Sequence, residues 1–289
     1  MKKRMMMFAA VMVFAALLPV TLSALDRFNK EDSFLKVRPN AELGLTKVLN
    51  HTIQFGESGT VFDYVKYGGQ EILFSFTRYS IDVDLGKRNT VTFLYQPLTL
   101  ETKTRIPADF DGGVTVEEVV FPAGSGLNLK YGFDFWRLSY MFNIFNSDRF
   151  LLGAGVSLQL RNASIVFENT DGTGITVNQN LGPVPILKLK AEYRLPCGFF
   201  FGGEVDGFYA SSAIFNGADF EFKGWIYDAA LRFGKGINPA TDLFLSVRLL
   251  GGGAQGTSQY EATYWTQTSP QFTDNSLTVL IVSAGARLK

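Results

Sequence analysis

The sequence predicts an all-β protein: a closed antiparallel transmembrane β-barrel of about ten strands. Three observations carry that prediction. Residues 1–24 have the layout of an export signal, with Lys2, Lys3 and Arg4 ahead of an apolar run broken by Pro19. Thr21-Leu22-Ser23-Ala24 then offers a cleavage site after Ala24. Second, residues 150–161 alternate strictly. Phe150, Leu152, Ala154, Val156, Leu158 and Leu160 share one face, and Leu151, Gly153, Gly155, Ser157, Gln159 and Arg161 share the other. Third, no later segment approaches the roughly 18 uninterrupted apolar residues of a spanning helix. An exported chain that cannot cross as helices can cross a bilayer only as a closed barrel, because lipid offers unpaired backbone groups no partners.

The remaining chain divides into a lead-in over 25–40 and one barrel domain over 41–289. Within the barrel, period-2 alternation bounded by turn residues marks strands at 42–55, 71–85, 90–103, 127–144 and 149–167. Five more follow at 183–195, 199–209, 220–234, 243–252 and 276–288. Twelve strands result if 60–67 and 113–121 are strands as well. The connections alternate in length. Short turns fall at 86–89, 145–148, 196–198 and 235–242, and longer segments at 56–70, 104–126, 168–182, 210–219 and 253–275. Aromatic side chains gather toward both expected rims: Phe145, Phe150, Phe199, Phe201 and Phe233 at the short-turn end, and Tyr131, Phe133, Tyr209 and Trp225 at the other. A secreted β-sandwich also alternates, but its strands are shorter and it has no reason to show this asymmetry of turns.

The polar face of these strands is the candidate site. A Lys or Arg turned to lipid near the midplane costs roughly 2–4 kcal/mol, which assigns the charged face to the lumen. Around the turn at 196–198, Lys188, Lys190, Glu192 and Arg194 share one face, and Glu204 and Asp206 lie in phase on the next strand. If Leu195 pairs with Phe199, Lys190 stands opposite Glu204 and Lys188 opposite Asp206, at a spacing where opposite charges attract. Arg137 and Ser139, Arg161, Asp228 and Arg232, Ser246 and Arg248, and Ser283 and Arg287 extend the same face. Such a lumen is either a plug of interlocking ion pairs or a wet, weakly selective pore. The sequence leaves both open.

Composition and motifs count against other functions. Signal cleavage removes three of the 27 Lys and Arg and none of the 27 Asp and Glu, so the mature chain is slightly acidic and gives no basis for nucleic-acid binding. Cys197 is the single cysteine, which rules out an intramolecular disulfide framework, and none lies near the cleavage point to carry a lipid anchor. His51, the one histidine, shares a face with Leu49 and Ile53 and has no Asp-x-His or His-x-Ser pattern around it. Asp82-x-Asp84 is the closest approach to paired acids, and it falls at the opposite end of the barrel from His51. The run from Asn169 to Gly174 opens with an amide, and Asn180 stands where a calcium loop needs its bidentate Glu, so it reads as a turn-rich loop. No catalytic residue, metal ligand or cofactor is assigned.

Signal, strands and turn asymmetry together resemble the bacterial outer-membrane β-barrels, the class that includes OmpA-like and porin-like proteins. The resemblance covers most of 41–289 and rests on pattern. It implies a Gram-negative outer-membrane location, short turns and both termini in the periplasm, and outer-membrane lipid and the barrel-assembly machinery as partners. It further implies a non-enzymatic barrel: either a narrow porin-like channel for small solutes or a structural or surface barrel with a charge-braced lumen. An outer-membrane barrel enzyme acting on lipid or peptide is the alternative. The chain departs from the class at its end, where Gly285-Ala286-Arg287-Leu288-Lys289 replaces the usual terminal aromatic.

Overall fold

A computed structural model describes residues 33–212, 221–257 and 272–289. The expected export signal lies outside these residues. The strands are β1 Leu35–Phe55, β2 Phe62–Asp63, β3 Leu73–Leu85, β4 Asn89–Gln96, β5 Thr99–Arg105, β6 Val114–Val116 and β7 Val119–Phe121. They continue with β8 Gly126–Asn146, β9 Phe150–Asn169, β10 Ile175–Arg194, β11 Phe199–Ser211, β12 Phe222–Asn238, β13 Thr241–Thr257 and β14 Phe272–Leu288. Ten staves form a ring of antiparallel neighbours, with β4 and β5 as two halves of the third. The ring closes where β1 pairs with β14, from Asn40 opposite Arg287 to Phe55 opposite Thr273. Closure pairs the two end strands that would be the edges of an open sheet, as a spanning sheet requires. The two segments weighed as extra staves lie outside the ring: β2 is a short addition to β1, and β6 and β7 form a separate hairpin.

Alternation sorts side chains by solvent. On β9, Val156, Leu158 and Leu160 are exposed on the outer surface, while Ser157 and Gln159 are buried in the lumen. Leu45, Ile81, Phe93, Leu138, Leu189, Val205 and Val247 continue the outward apolar band around the ring. A patch on this scale is foreign to the surface of a soluble monomer and suits lipid contact. At the short-turn end Phe233 stacks on Phe199 at 5.5 Å and packs against Phe201 at 4.9 Å, and Phe145 meets Phe150 at 6.3 Å. These rings form the lower girdle.

Several boundaries and facings differ from the sequence reading. Strand β1 begins at Leu35, inside the segment read as a lead-in. Pro39 pairs only with Ile81 of β3, just beyond the end of the ladder to β14. An edge of that kind tolerates a residue without an N–H. Strand β10 begins at Ile175, so much of the expected long segment 168–182 is hairpin, with Ile175 opposite Glu168. Tyr131 and Phe133 face the lumen and not the rim, since they share parity with Arg137. A bulge between Val48 and Asn50 turns Leu49 outward and His51 inward. Pro97 divides the third stave, and Asp134 repairs the break by accepting the Leu98 N–H at 3.0 Å.

The lipid-facing band yields a direct test. Leu158 pairs with outward Leu138, so Leu158→Arg should lower stability by roughly 2–4 kcal/mol in urea titrations of the barrel in lipid vesicles. An unchanged midpoint would remove Leu158 from the hydrocarbon.

Candidate functional site: a layered lumen

The inward faces build the lumen in layers. Nearest the short turns, Asp242 accepts from Arg194 at 2.8 Å, Arg287 at 2.7 Å and Lys289 at 2.8 Å. Glu192 takes Arg287 at 2.7 Å and Arg194 at 3.0 Å. The guanidinium groups of Arg194 and Arg287 lie 4.9 and 5.0 Å from the buried Phe200 ring, so cations and an aromatic face together form a floor.

The middle layer centres on Asp228, which is 0 % exposed. Its carboxylate binds Arg137 at 3.1 Å, Arg78 at 3.2 Å and Arg248 in a still shorter contact. Arg137 also binds Asp206, and Gln159 Oε1 accepts from Arg137 Nε and Nη2 at 2.9 and 2.7 Å. Glu204 faces Lys188 at 3.2 Å, Arg78 at 3.4 Å, Arg248 at 3.8 Å and Arg232 at 3.9 Å. Glu42 on β1 meets Arg232 at 2.9 Å and closes the circuit. Beside Arg78, Arg137, Lys188, Glu204 and Arg232 lies a pocket of about 20 Å³, room for about one water molecule.

The hairpin register sets Lys190 opposite Glu204 and Lys188 opposite Asp206. Facing does not fix partnership, however. Lys188 bridges both Asp206, at 3.1 Å, and Glu204, while Lys190 reaches across the lumen to Asp82 at 3.7 Å. Arg161 stands apart from the middle layer, with its guanidinium 5.8 Å from the Phe133 ring. Glu42, Arg78, Asp82 and Asp242 complete the layers and were not singled out as lumen charges from sequence. Their strand parity would have identified them.

Above the ions the lumen turns aromatic. The segment after β1 folds back over the mouth, and β2 adds to β1 with Thr52 opposite Asp63. His51 stacks on Tyr64 at 4.1 Å, meets Tyr131 edge-on at 4.3 Å, and its Nδ1 lies 2.7 Å from Gln70 Oε1. Asp63, the nearby acid, caps the Val65 and Lys66 N–H groups at 2.9 Å each. The hairpin of β6 and β7 docks beside this cap through Thr60 N–H to Thr115 O at 2.9 Å. His51 is thus a packed cap residue, and among the described residues no hydroxyl or thiol is in hydrogen-bond contact with it. Among the described residues no group of three His, Cys, Asp or Glu side chains could hold a metal. The run from Asn169 to Gly174 is a tight turn: Thr173 donates to Asp171 through both its N–H, at 3.0 Å, and its hydroxyl, at 2.7 Å. These bonds hold the Asp171 carboxyl below its usual range.

No protein-family model and no curated protein matches the chain. Solved structures similar to it include the outer membrane protease OmpT from Escherichia coli, at 11 % identity and a TM-score of 0.46, covering 87 % of this chain and 96 % of that one. The translocator domain of the autotransporter NalP from Neisseria meningitidis matches at 10 % identity and a TM-score of 0.39, over 97 % and 98 % of the two chains. The outer membrane protein OprG from Pseudomonas aeruginosa matches at 9 % identity and a TM-score of 0.37, over 86 % and 95 %. The chain's own pairings make it a closed ten-stave antiparallel β-barrel.

Reversing one charge in the middle layer has a predictable cost. Glu204→Lys places a fourth buried cation beside Lys188, Arg78 and Arg248 and should destabilise the barrel by about 3–5 kcal/mol or more. Asp228→Asn, which strands three guanidinium groups, should cost about as much. Chemical unfolding in lipid vesicles reads both.

Proposed function

We propose that the protein is a non-enzymatic outer-membrane barrel whose lumen is sealed by its ion network, a braced surface barrel and not an open porin. The short turns and both termini face the periplasm, and the aromatic cap faces the exterior. The observation that carries this reading is the middle layer: Arg78, Arg137 and Arg248 converge on Asp228, and the pocket beside Arg78, Arg137 and Glu204 holds about one water. A hydrated ion or sugar passing through would have to break several buried ion pairs at once, each costly to separate. Outer-membrane lipid covers the apolar band, and the barrel-assembly machinery is the partner that joins β14 to β1.

Two measurements test this reading. In planar bilayers the verified, inserted protein should show no steady conductance. The triple variant Arg78→Ala, Arg137→Ala and Arg248→Ala should open a cation-selective path lined by the acids left behind. Steady conductance of the unaltered protein would overturn the sealed lumen. For orientation, an epitope inserted at Gly172 should be detected on intact cells, and one inserted at Lys87 only after the outer membrane is breached.

A further inference from the structure

Beside the aromatic cap, in the long-loop half of the lumen, lies a cavity of about 400 Å³, within the roughly 300–1,000 Å³ range of small-molecule sites. Its walls are mainly apolar, with Phe135, Ile165, Phe208, Ile226, Leu250 and Leu277 among them. Two polar atoms in it lack hydrogen-bond partners among the described residues. Gln159 is fully buried and spends Oε1 on Arg137, which leaves Nε2 without an acceptor at the cavity floor. Asn275 donates through Nδ2 to the Tyr131 hydroxyl at 2.9 Å, which leaves its buried Oδ1 unmatched. Leaving a buried donor unmatched is costly, so an apolar guest bringing an acceptor would be favoured there.

The same cavity reaches the barrel wall. Strands β10 and β11 pair from Arg194–Phe200 up to Leu187–Gly207 and then stop, although β11 continues to Ser211. Pro183 and Pro185 lie in the unpaired stretch. The ladder to β9 runs through both prolines without a break, so their missing N–H groups are those that would point at β11. Pro183, Val184, Pro185, Phe208 and Ala210, from the two sides of this seam, all line the cavity. The wall's other interruption, between β3 and β5, is closed by Thr102 and Thr104, whose hydroxyls donate to Gly68 O at 2.6 Å and Tyr67 O at 2.8 Å. Among the described residues no pairing bridges β10 and β11 above Leu187.

We infer that this cavity is a binding site for a small apolar molecule bearing one hydrogen-bond acceptor, such as an aryl ketone, and that the β10–β11 seam connects it sideways to the outer leaflet. The lateral route rests on the sealed lumen proposed above, since ions block the way down. The site itself does not depend on that reading.

The test uses the full-length mature protein in phosphatidylcholine nanodiscs with 4-fluoroacetophenone as probe, followed by fluorine NMR. Saturable binding is expected, and Ala163→Trp, which fills the cavity, should weaken it by about tenfold or more. Gln159→Glu keeps the acceptor for Arg137 but removes the Nε2 donor. It should weaken 4-fluoroacetophenone while leaving 1-ethyl-4-fluorobenzene, which has no acceptor, unchanged. No saturable binding, or binding indifferent to Ala163→Trp, overturns the site. For the seam, a phosphatidylcholine with a photoreactive diazirine on its acyl chain should label inward-facing Val184 and Phe208, and 4-fluoroacetophenone should suppress that labelling. Label confined to outward residues such as Leu187 and Tyr209 overturns the lateral route. Failure of the sealed lumen would appear instead as conductance of the unaltered protein.

Discussion

The structure depends on a carboxylate, Asp228, that is fully buried and shared by three guanidinium groups. Glu204, which faces Lys188, Arg78, Arg248 and Arg232, and Asp206, which binds Arg137 and Lys188, share in balancing that positive charge. Burying such a cluster wins little net energy, because desolvation offsets most of the Coulombic attraction. Its stronger effect is on specification. Slipping any one of these strands by a residue would turn an Arg, Lys, Asp or Glu into lipid, at roughly 2–4 kcal/mol for each Arg or Lys near the midplane. Arg78 comes from β3, Arg137 from β8, Asp228 from β12 and Arg248 from β13, so one cluster fixes the mutual register of distant staves.

That constraint divides the lumen. Below and at the middle, charges in complementary positions fill the bore. Above, the segment between β1 and β3 supplies Phe62 and Tyr64, which pack with Phe167 of β9 at 5.4 and 5.6 Å. The cap covers the side of the mouth near β1, β8 and β9, and the apolar cavity lies beside it, walled by residues of β8 through β14. A bore filled uniformly by ions would leave no such space, and a bore filled uniformly by aromatics would have no polar floor.

Much of this was legible in the sequence, for identifiable reasons. The facing of Lys188 and Lys190 against Asp206 and Glu204 follows from period-2 alternation and a three-residue turn, both local. The partner of Lys190 was not legible, because Asp82 reaches it across the lumen and strands on opposite walls meet only after the ring closes. The inward turn of His51 depends on the bulge after Val48, which no residue there announces. Tyr131 and Phe133 were assigned to a rim because aromatics favour interfaces, although their parity with Arg137 already placed them inside. The part of β10 from Ile175 to Gly182 was read as a long connection, because it is paired only with β9, on one side, and carries no clear inward and outward alternation of apolar and charged residues.

An unpaired strand edge facing hydrocarbon is costly, since each unsatisfied backbone group there forfeits several kcal/mol. Proline lowers that cost, because it has no N–H to leave unsatisfied. Two prolines spaced two residues apart put both missing donors on one side of β10, and the intact ladder to β9 shows that side to be the one facing β11. Had either fallen one residue earlier or later, it would have removed a donor from the β9 ladder and left one exposed at the seam. The spacing Pro183-Val184-Pro185 therefore suits a wall that is continuous toward β9 and open toward β11, at the height where the lumen has space to be reached.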